Sequence, residues 1–354
     1  MLISDHPMTG PMKVAVYPTD HGFGHLSRQL GWVERVPWKD KDRVFIINRS
    51  AEKLVEPGLV KCLRTVDRNT DVGLIVSDTT LEPDPVATSR LLDEWRNGMD
   101  RAISTEATWL KDNAIDAVIT DISPVPIAAA ETLGIPSLAL SSFTWHWIYS
   151  DLVPDHPILD EIKSMYRLAT DAYVLPLTEE MDIFPRRKRI PLIARISKET
   201  VEMKVRKGKV LVFVSMGRSV TPRMKGLGPG FSVIAPQGEY GIDVDVPIPP
   251  GTKNLTPFLR KADFAVVKTG YSLVSECICL RKPIIGIRRG EMIEDRFTGR
   301  TIEGLGIGKT IAFKDMAPGF MEAFDWKAHG KAYDRLDARY VNEGWRDVDA
   351  WLRG

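Results

Sequence analysis

Met12-Lys13-Val14-Ala15-Val16-Tyr17-Pro18 runs directly into Thr19-Asp20-His21-Gly22-Phe23-Gly24-His25-Leu26-Ser27-Arg28. The first seven residues form a short apolar run, which reads as a buried strand. The glycines behind it let backbone and ligand approach closely where a helix starts, here expected over about Leu26–Val36. Outward from this stretch, strands are expected at Arg43–Ile47, Asp71–Val76, Ala117–Asp121 and Ser137–Ser141. A long helix or helix pair is expected over about Ala87–Asn113, and a helix over about Pro126–Leu133. Alternating strands and helices, with the strands as continuous apolar runs, indicate a parallel sheet covered on both faces.

The same pattern then begins again. Lys209–Ser215 (KVLVFVS) is a buried strand running into Met216-Gly217, and Phe231–Ala235, Phe264–Val267 and Pro283–Arg288 are further strands. A helix over about Ser272–Leu280 separates the last two. A βα series that starts twice implies an α/β chain of two Rossmann-like domains facing across a cleft. Proline and charge cluster near Phe184–Pro191, so the expected division is 12–187, 188–330 and a helical tail over 331–354, which could pack back on the first domain.

Composition agrees with two packed domains. The chain has 354 residues, 44% of them apolar and 27% charged, enough for two cores of the usual ~100–200 residues. A net charge of +1 gives no global attraction to nucleic acid. The run Arg186-Arg187-Lys188-Arg189 reads as a solvated linker or a local phosphate contact. Three cysteines, Cys62, Cys277 and Cys279, form no CxxC pair, which argues against a disulfide framework or zinc site and for a reducing cytoplasm. No stretch approaches the ~18 apolar residues of a membrane span, which leaves only peripheral membrane contact open.

Four places carry chemistry. In the glycine loop, His21 and His25 stand four apart, but the glycines between them argue against a helix there, and no third metal ligand is evident. His25 at a loop–helix junction suits a general base and also suits a structural cap. The loop matches only part of the dinucleotide fingerprint, and Asn48 and Arg49 follow the second strand where an acidic residue would be needed. Asp121 ends its strand at the crevice side of an open sheet, where it could orient His25 or cap the next helix. In Lys268-Thr269-Gly270-Tyr271-Ser272-Leu273-Val274-Ser275-Glu276, small residues open a helix whose free amides could hold a pyrophosphate, and Glu276 could accept from ribose hydroxyls. Arg288-Arg289, followed by Glu294-Asp295-Arg296, suits phosphates and sugar hydroxyls, or a solvated charge cluster. Phe143, Trp145 and Trp147 follow a strand end and could form an acceptor pocket or pack into the core.

Two other patterns fail. Gly304–Thr310 ends like a phosphate-binding loop, but Glu303 stands where its first glycine is required. Asp243-Val244-Asp245 and Asp347-Val348-Asp349 follow no buried strand, so no metal is expected.

HGFGHLSR, TDISPVPIAAAETLGIPSLALSSFTWHWIY and KTGYSLVSECICLRKPIIGIRR together resemble the glycosyltransferase-like region that precedes the kinase domain in plant L-arabinokinase, and its stand-alone prokaryotic relatives. The similarity runs from about Met12 to Gly308. More distantly, both halves are similar to the peptidoglycan N-acetylglucosaminyltransferase of bacteria and to plant natural-product glucosyltransferases. This resemblance implies a GT-B fold, with the acceptor on the first domain and the donor on the second. It implies His25 as the base or an acceptor-site residue, Asp121 as its partner and Glu276 as the ribose ligand. His21, Gly22, Phe23, Gly24, Trp145 and Trp147 fall on the acceptor side. Gly217, Lys268, Gly270, Tyr271, Ser272, Arg288, Arg289 and Asp295 fall on the donor side. Asp295-Arg296 replaces an Asp-Gln pair, which leaves the donor sugar open; kinase activity is not implied. The expected function is metal-independent transfer from a nucleotide-diphosphate sugar, uridine-based, to an acceptor hydroxyl. The nucleotide-sugar is then a substrate, and no cofactor is expected. A nucleotide-sugar epimerase and a non-catalytic binding module are the rival readings.

Overall fold

The computed structural model describes residues 10–56, 58–77, 82–177, 179–203, 208–217, 230–238 and 240–354. The segment directly after Gly217 lies outside them. The first half comprises β1 (Lys13–Pro18), α1 (Phe23–Val33), β2 (Arg43–Ile47), β3 (Leu63–Val66), α2 (Pro85–Asn97), α3 (Met99–Asp112), β4 (Ala117–Asp121), α4 (Val125–Thr132), β5 (Ser137–Ser141), α5 (Trp145–Leu152), α6 (Ile158–Tyr166), β6 (Asp171–Val174) and β7 (Arg187–Arg189). The second comprises β8 (Val210–Ser215), β9 (Phe231–Pro236), β10 (Val246–Ile248), α7 (Thr256–Leu259), β11 (Phe264–Lys268), α8 (Tyr271–Cys279), β12 (Ile284–Arg288), α9 (Ile293–Gly304), β13 (Gly308–Ala312), α10 (Trp326–Ala332) and α11 (Trp345–Arg353).

Two parallel sheets result, ordered β3-β2-β1-β4-β5-β6-β7 and β10-β9-β8-β11-β12-β13. The central strands β4, β5 and β8 are buried almost throughout because helices cover both faces, which accounts for their unbroken apolar runs. In each sheet the chain reverses direction between the first strand and its neighbour, at β1/β4 and at β8/β11. Such a switch point opens a crevice beyond the carboxyl ends of the strands. Both crevices face the space between the domains.

Several expectations differ from the structure. Asp71–Val76 is a loop rather than the third strand, which is Leu63–Val66. Gly73 takes a positive φ of 73°, and the Asp71 carboxylate accepts from Thr19 and Trp145, so the segment is held across the sheet end. The helix after β1 begins at Phe23 and contains Gly24 and His25. Gly24 serves there because a Cβ would lie 3.2 Å from Ser272 Oγ of the other domain. The tail is broken into short turns before α11.

The expected boundary at 187/188 falls within β7, which pairs with β6 and continues the first sheet to Arg189. α11 returns to the first half: Lys188 meets Asp347 at 2.7 Å, Trp351 donates to Asp171, and Val348 and Leu352 are buried. Among the described residues no helix is long and apolar enough to cross a membrane.

The tail is clasped at Gly344, whose amide donates to Leu192 O and where a Cβ would lie 2.3 Å from Pro191 O. Gly344→Ala should therefore destabilise the protein by ~1–3 kcal/mol, as overpacking does. An unchanged midpoint in urea unfolding would contradict this packing.

Candidate active site between the two domains

A cavity of about 520 Å³ lies between the two switch points. From the first domain, His21, Gly22, Phe23, Gly24 and His25 reach it from the loop and helix after β1, and Phe143 and Trp145 from the segment after β5. From the second domain come Gly217 after β8, Lys268 at the end of β11, Gly270, Tyr271, Ser272 and Glu276 at the start of α8, and Arg289 after β12. Gly22 caps α1 with φ 89° and Gly217 turns with φ 78°, conformations that favour glycine.

Asp121 stands behind His25. His25 Nδ1 is 3.1 Å from Asp121 Oδ1, and the ring edge packs on Phe143 with 5.5 Å between centroids. The next residue, Ile122, has φ 65°, a costly conformation for a β-branched side chain. Its carbonyl accepts from the buried Tyr166 hydroxyl, which helps hold this turn at the strand end.

Arg28 lies three residues beyond His25 on the same face of α1, and nothing in the motif's spacing marks it for a role. It is 1% exposed and grips Asp121 with two hydrogen bonds, Nε to Oδ2 at 2.9 Å and Nη2 to Oδ1 at 2.6 Å. Gln29 and Ser141 also donate to this carboxylate. Burial alone would raise the Asp121 pKa; Arg28, then His25, outweigh it and hold the carboxyl far below its ordinary range.

Arg288, Asp295 and Trp147 do not reach the cavity wall. Arg288 lies over Gly299 of α9. Asp295 is fully buried and is consumed by Arg289, accepting from its amide and its guanidinium; Glu294 takes the place at the wall. Trp147 turns to Phe297 of α9, 5.1 Å between centroids. The loop Leu74-Ile75-Val76 and Lys253-Asn254-Leu255 also line the cavity, and no motif in them announced it.

The domains touch directly beside this site. Ser272 Oγ donates to Gly24 O at 2.6 Å, Ser27 Oγ donates to Glu276 at 3.3 Å, and the Arg28 guanidinium lies 4.5 Å from the centre of the Tyr271 ring. Arg296 bridges to Asp151 at 2.7 Å.

No protein-family model matches the chain. Over 326 residues it is 24% identical to L-arabinokinase of Arabidopsis thaliana, a match covering 86% of this chain and 31% of that protein. The chain thus spans about a third of the relative's length. Among solved structures, the glycosyltransferase of kitacinnamycin superposes with TM-score 0.66 at 16% identity, covering 98% of this chain and 99% of the other. UGT89C1 of Arabidopsis thaliana, complexed with UDP-L-rhamnose, gives 0.62 at 12% identity over 98% and 100%. MurG of Acinetobacter baumannii gives 0.58 at 12% identity over 97% and 99%. The chain has the GT-B fold.

In this GT-B cleft the ionisable groups are far from their solution behaviour. Burial, with Arg289, His25 and Lys268 nearby, pushes His21 down to about 3, so it is neutral at physiological pH. Burial and then Arg289 bring Lys268 down to about 8, against the pull of Glu294 and Asp295. Asp71 is pushed up by burial to about 6 despite its bonds from Trp145 and Thr19. Burial raises Glu276 to about 8, only partly offset by Ser27 and Arg195. Among the described residues, no group of three or more His, Cys, Asp or Glu side chains is placed to hold a metal ion.

Glu276 keeps its proton to a higher pH in the folded protein than in the unfolded chain. The folded state thus binds more protons between the ordinary value of 4.5 and about 8, and stability falls as pH rises through that window. Glu276→Gln should flatten this fall. Since the depressed His21 acts with the opposite sign at lower pH, the measurement is the difference between wild-type and variant unfolding free energies from pH 5 to 9. A constant difference would show that Glu276 is not buried as described.

Proposed function

We propose that this protein transfers a sugar from a nucleotide-diphosphate sugar to an acceptor hydroxyl, without a metal ion. One observation carries the reading: His25, backed by Asp121, opens into the same cavity as the start of α8 with Lys268 and Glu276. Transfer needs a nucleophile-side base and a site for the leaving diphosphate within one space, and the shared lining of this cavity supports that reading. The nucleotide lies on the second domain, with the ribose at Glu276. The free amides at the α8 N-terminus, with Lys268 and Arg289, stabilise the charge that grows on the diphosphate as the sugar C1–O bond breaks. The acceptor lies against Phe143 and Trp145, and its oxygen attacks C1 while His25 Nε2 takes its proton. A uridine nucleotide is supported by the UDP-L-rhamnose held by UGT89C1, which shares the fold. A reducing cytoplasmic setting belongs to the same proposal, supported by Cys62, Cys277 and Cys279 all being free thiols.

His25→Ala should lower turnover by about 10²–10⁴-fold, the usual worth of general base catalysis, with little loss of donor binding. Full activity in that variant would reduce His25 to a structural role. Glu276→Ala should weaken UDP binding measured by calorimetry; unchanged affinity would move the ribose elsewhere. Chelator should leave the rate unaltered, and loss of activity restored by magnesium or manganese would overturn the metal-free mechanism.

A further inference from the structure

Four donors and a ring nitrogen converge on the one carboxylate of Asp121. Oδ2 accepts from Arg28 Nε at 2.9 Å and Gln29 Nε2 at 3.0 Å. Around Oδ1 stand Arg28 Nη2 at 2.6 Å, Ser141 Oγ at 2.8 Å and His25 Nδ1 at 3.1 Å. A carboxylate has about four lone-pair positions, two on each oxygen. Arg28 and Ser141 fill those of Oδ1, and His25 is the third and most distant claimant. The same ring nitrogen lies 2.9 Å from Arg28 Nη2. That guanidinium nitrogen carries a second proton, for which the other neighbour, Ser141 Oγ, is farther away at 3.4 Å. A guanidinium can only donate. A proton on His25 Nδ1 would therefore face another proton, whereas a bare Nδ1 accepts from Arg28.

We infer that Arg28 is a positioning residue that holds His25 in the tautomer with its proton on Nε2. An imidazole beside a carboxylate ordinarily donates its Nδ1 proton to it and leaves Nε2 bare. Here Arg28 reverses that arrangement, and His25 Nε2 rests as a donor. Under the glycosyl-transfer reading, on which this consequence rests, His25 cannot take the acceptor's proton until the ring loses the Nε2 proton to solvent and gains one at Nδ1. That exchange requires Arg28 to withdraw from Nδ1. The other face of the guanidinium lies on Tyr271, the first residue of α8.

The test is nitrogen NMR of protein labelled at its histidines, with the His25 signals assigned by their loss in His25→Gln. Couplings between ring nitrogens and ring protons identify which nitrogen is bare. In the wild-type protein at neutral pH, His25 should be predominantly Nε2–H. In Arg28→Gln, Nδ1 should regain its proton and donate to Asp121, inverting the tautomer. A merely structural role for Arg28 would alter stability without inverting it. Nδ1–H in the wild-type protein overturns the inference, as does a doubly protonated ring or the same tautomer in both proteins. Should Arg28→Gln fail to fold, the wild-type spectrum alone decides. Absence of turnover with any nucleotide-sugar would sink the transfer reading and leave the tautomer result intact.

Discussion

The buried fork between Arg28 and Asp121 is the contact on which the arrangement of the cleft depends. Removing two opposite charges from water costs several kcal/mol each, and their attraction offsets this only with good geometry and additional partners. Both conditions are met: the bond is bidentate, Gln29 and Ser141 satisfy the carboxylate, and Ser142 takes the remaining arm of the guanidinium. The participants come from α1, the end of β4 and the end of β5, so one polar cluster fixes the helix after β1 against the switch point of the sheet. Through Tyr271 it also reaches the second domain.

The second domain repeats the construction with different chemistry. Its switch point carries Gly217 and Lys268 where the first carries the glycine loop and Asp121. Arg289 is held through Nε and Nη2 by Glu294 and Asp295, a pairing that fixes its place at the wall. The positive field on this side comes from Lys268 and the start of α8, while His21 opposite is neutral. The first-domain side offers aromatic and aliphatic walls such as Phe143, Trp145 and Leu74, beside Arg28 and Asp20.

Much of this is legible in the amino-acid sequence. The twice-started βα series predicted two parallel sheets because strands covered on both faces must be continuously apolar. A glycine loop after a first strand and a carboxylate ending another were expected at one crevice; His25 Nδ1 and Asp121 Oδ1 lie 3.1 Å apart. Errors arose where a local pattern had two solutions. Asp71–Val76 has strand-like residues, yet its backbone is bent by Gly73 and tied down by Asp71. Glu294 and Asp295 are adjacent acids, and nothing local says which one Arg289 would bury.

From the amino-acid sequence alone came the fold class, the doubled architecture and two of the segments that meet at the cleft, the glycine loop after β1 and the turn that opens α8. These depend on short-range periodicity and on turn chemistry, which each segment carries in itself. The tertiary structure alone decided which side chains face the cavity and which face one another. Arg28 shows why: on α1 it is one more cation in a helical turn, and its meaning comes from Asp121, 93 positions away, Ser142, 114 away, and Tyr271 in the other domain. Burial makes such long-range partners decisive, because a charge removed from water must find its partner wherever the fold has placed it.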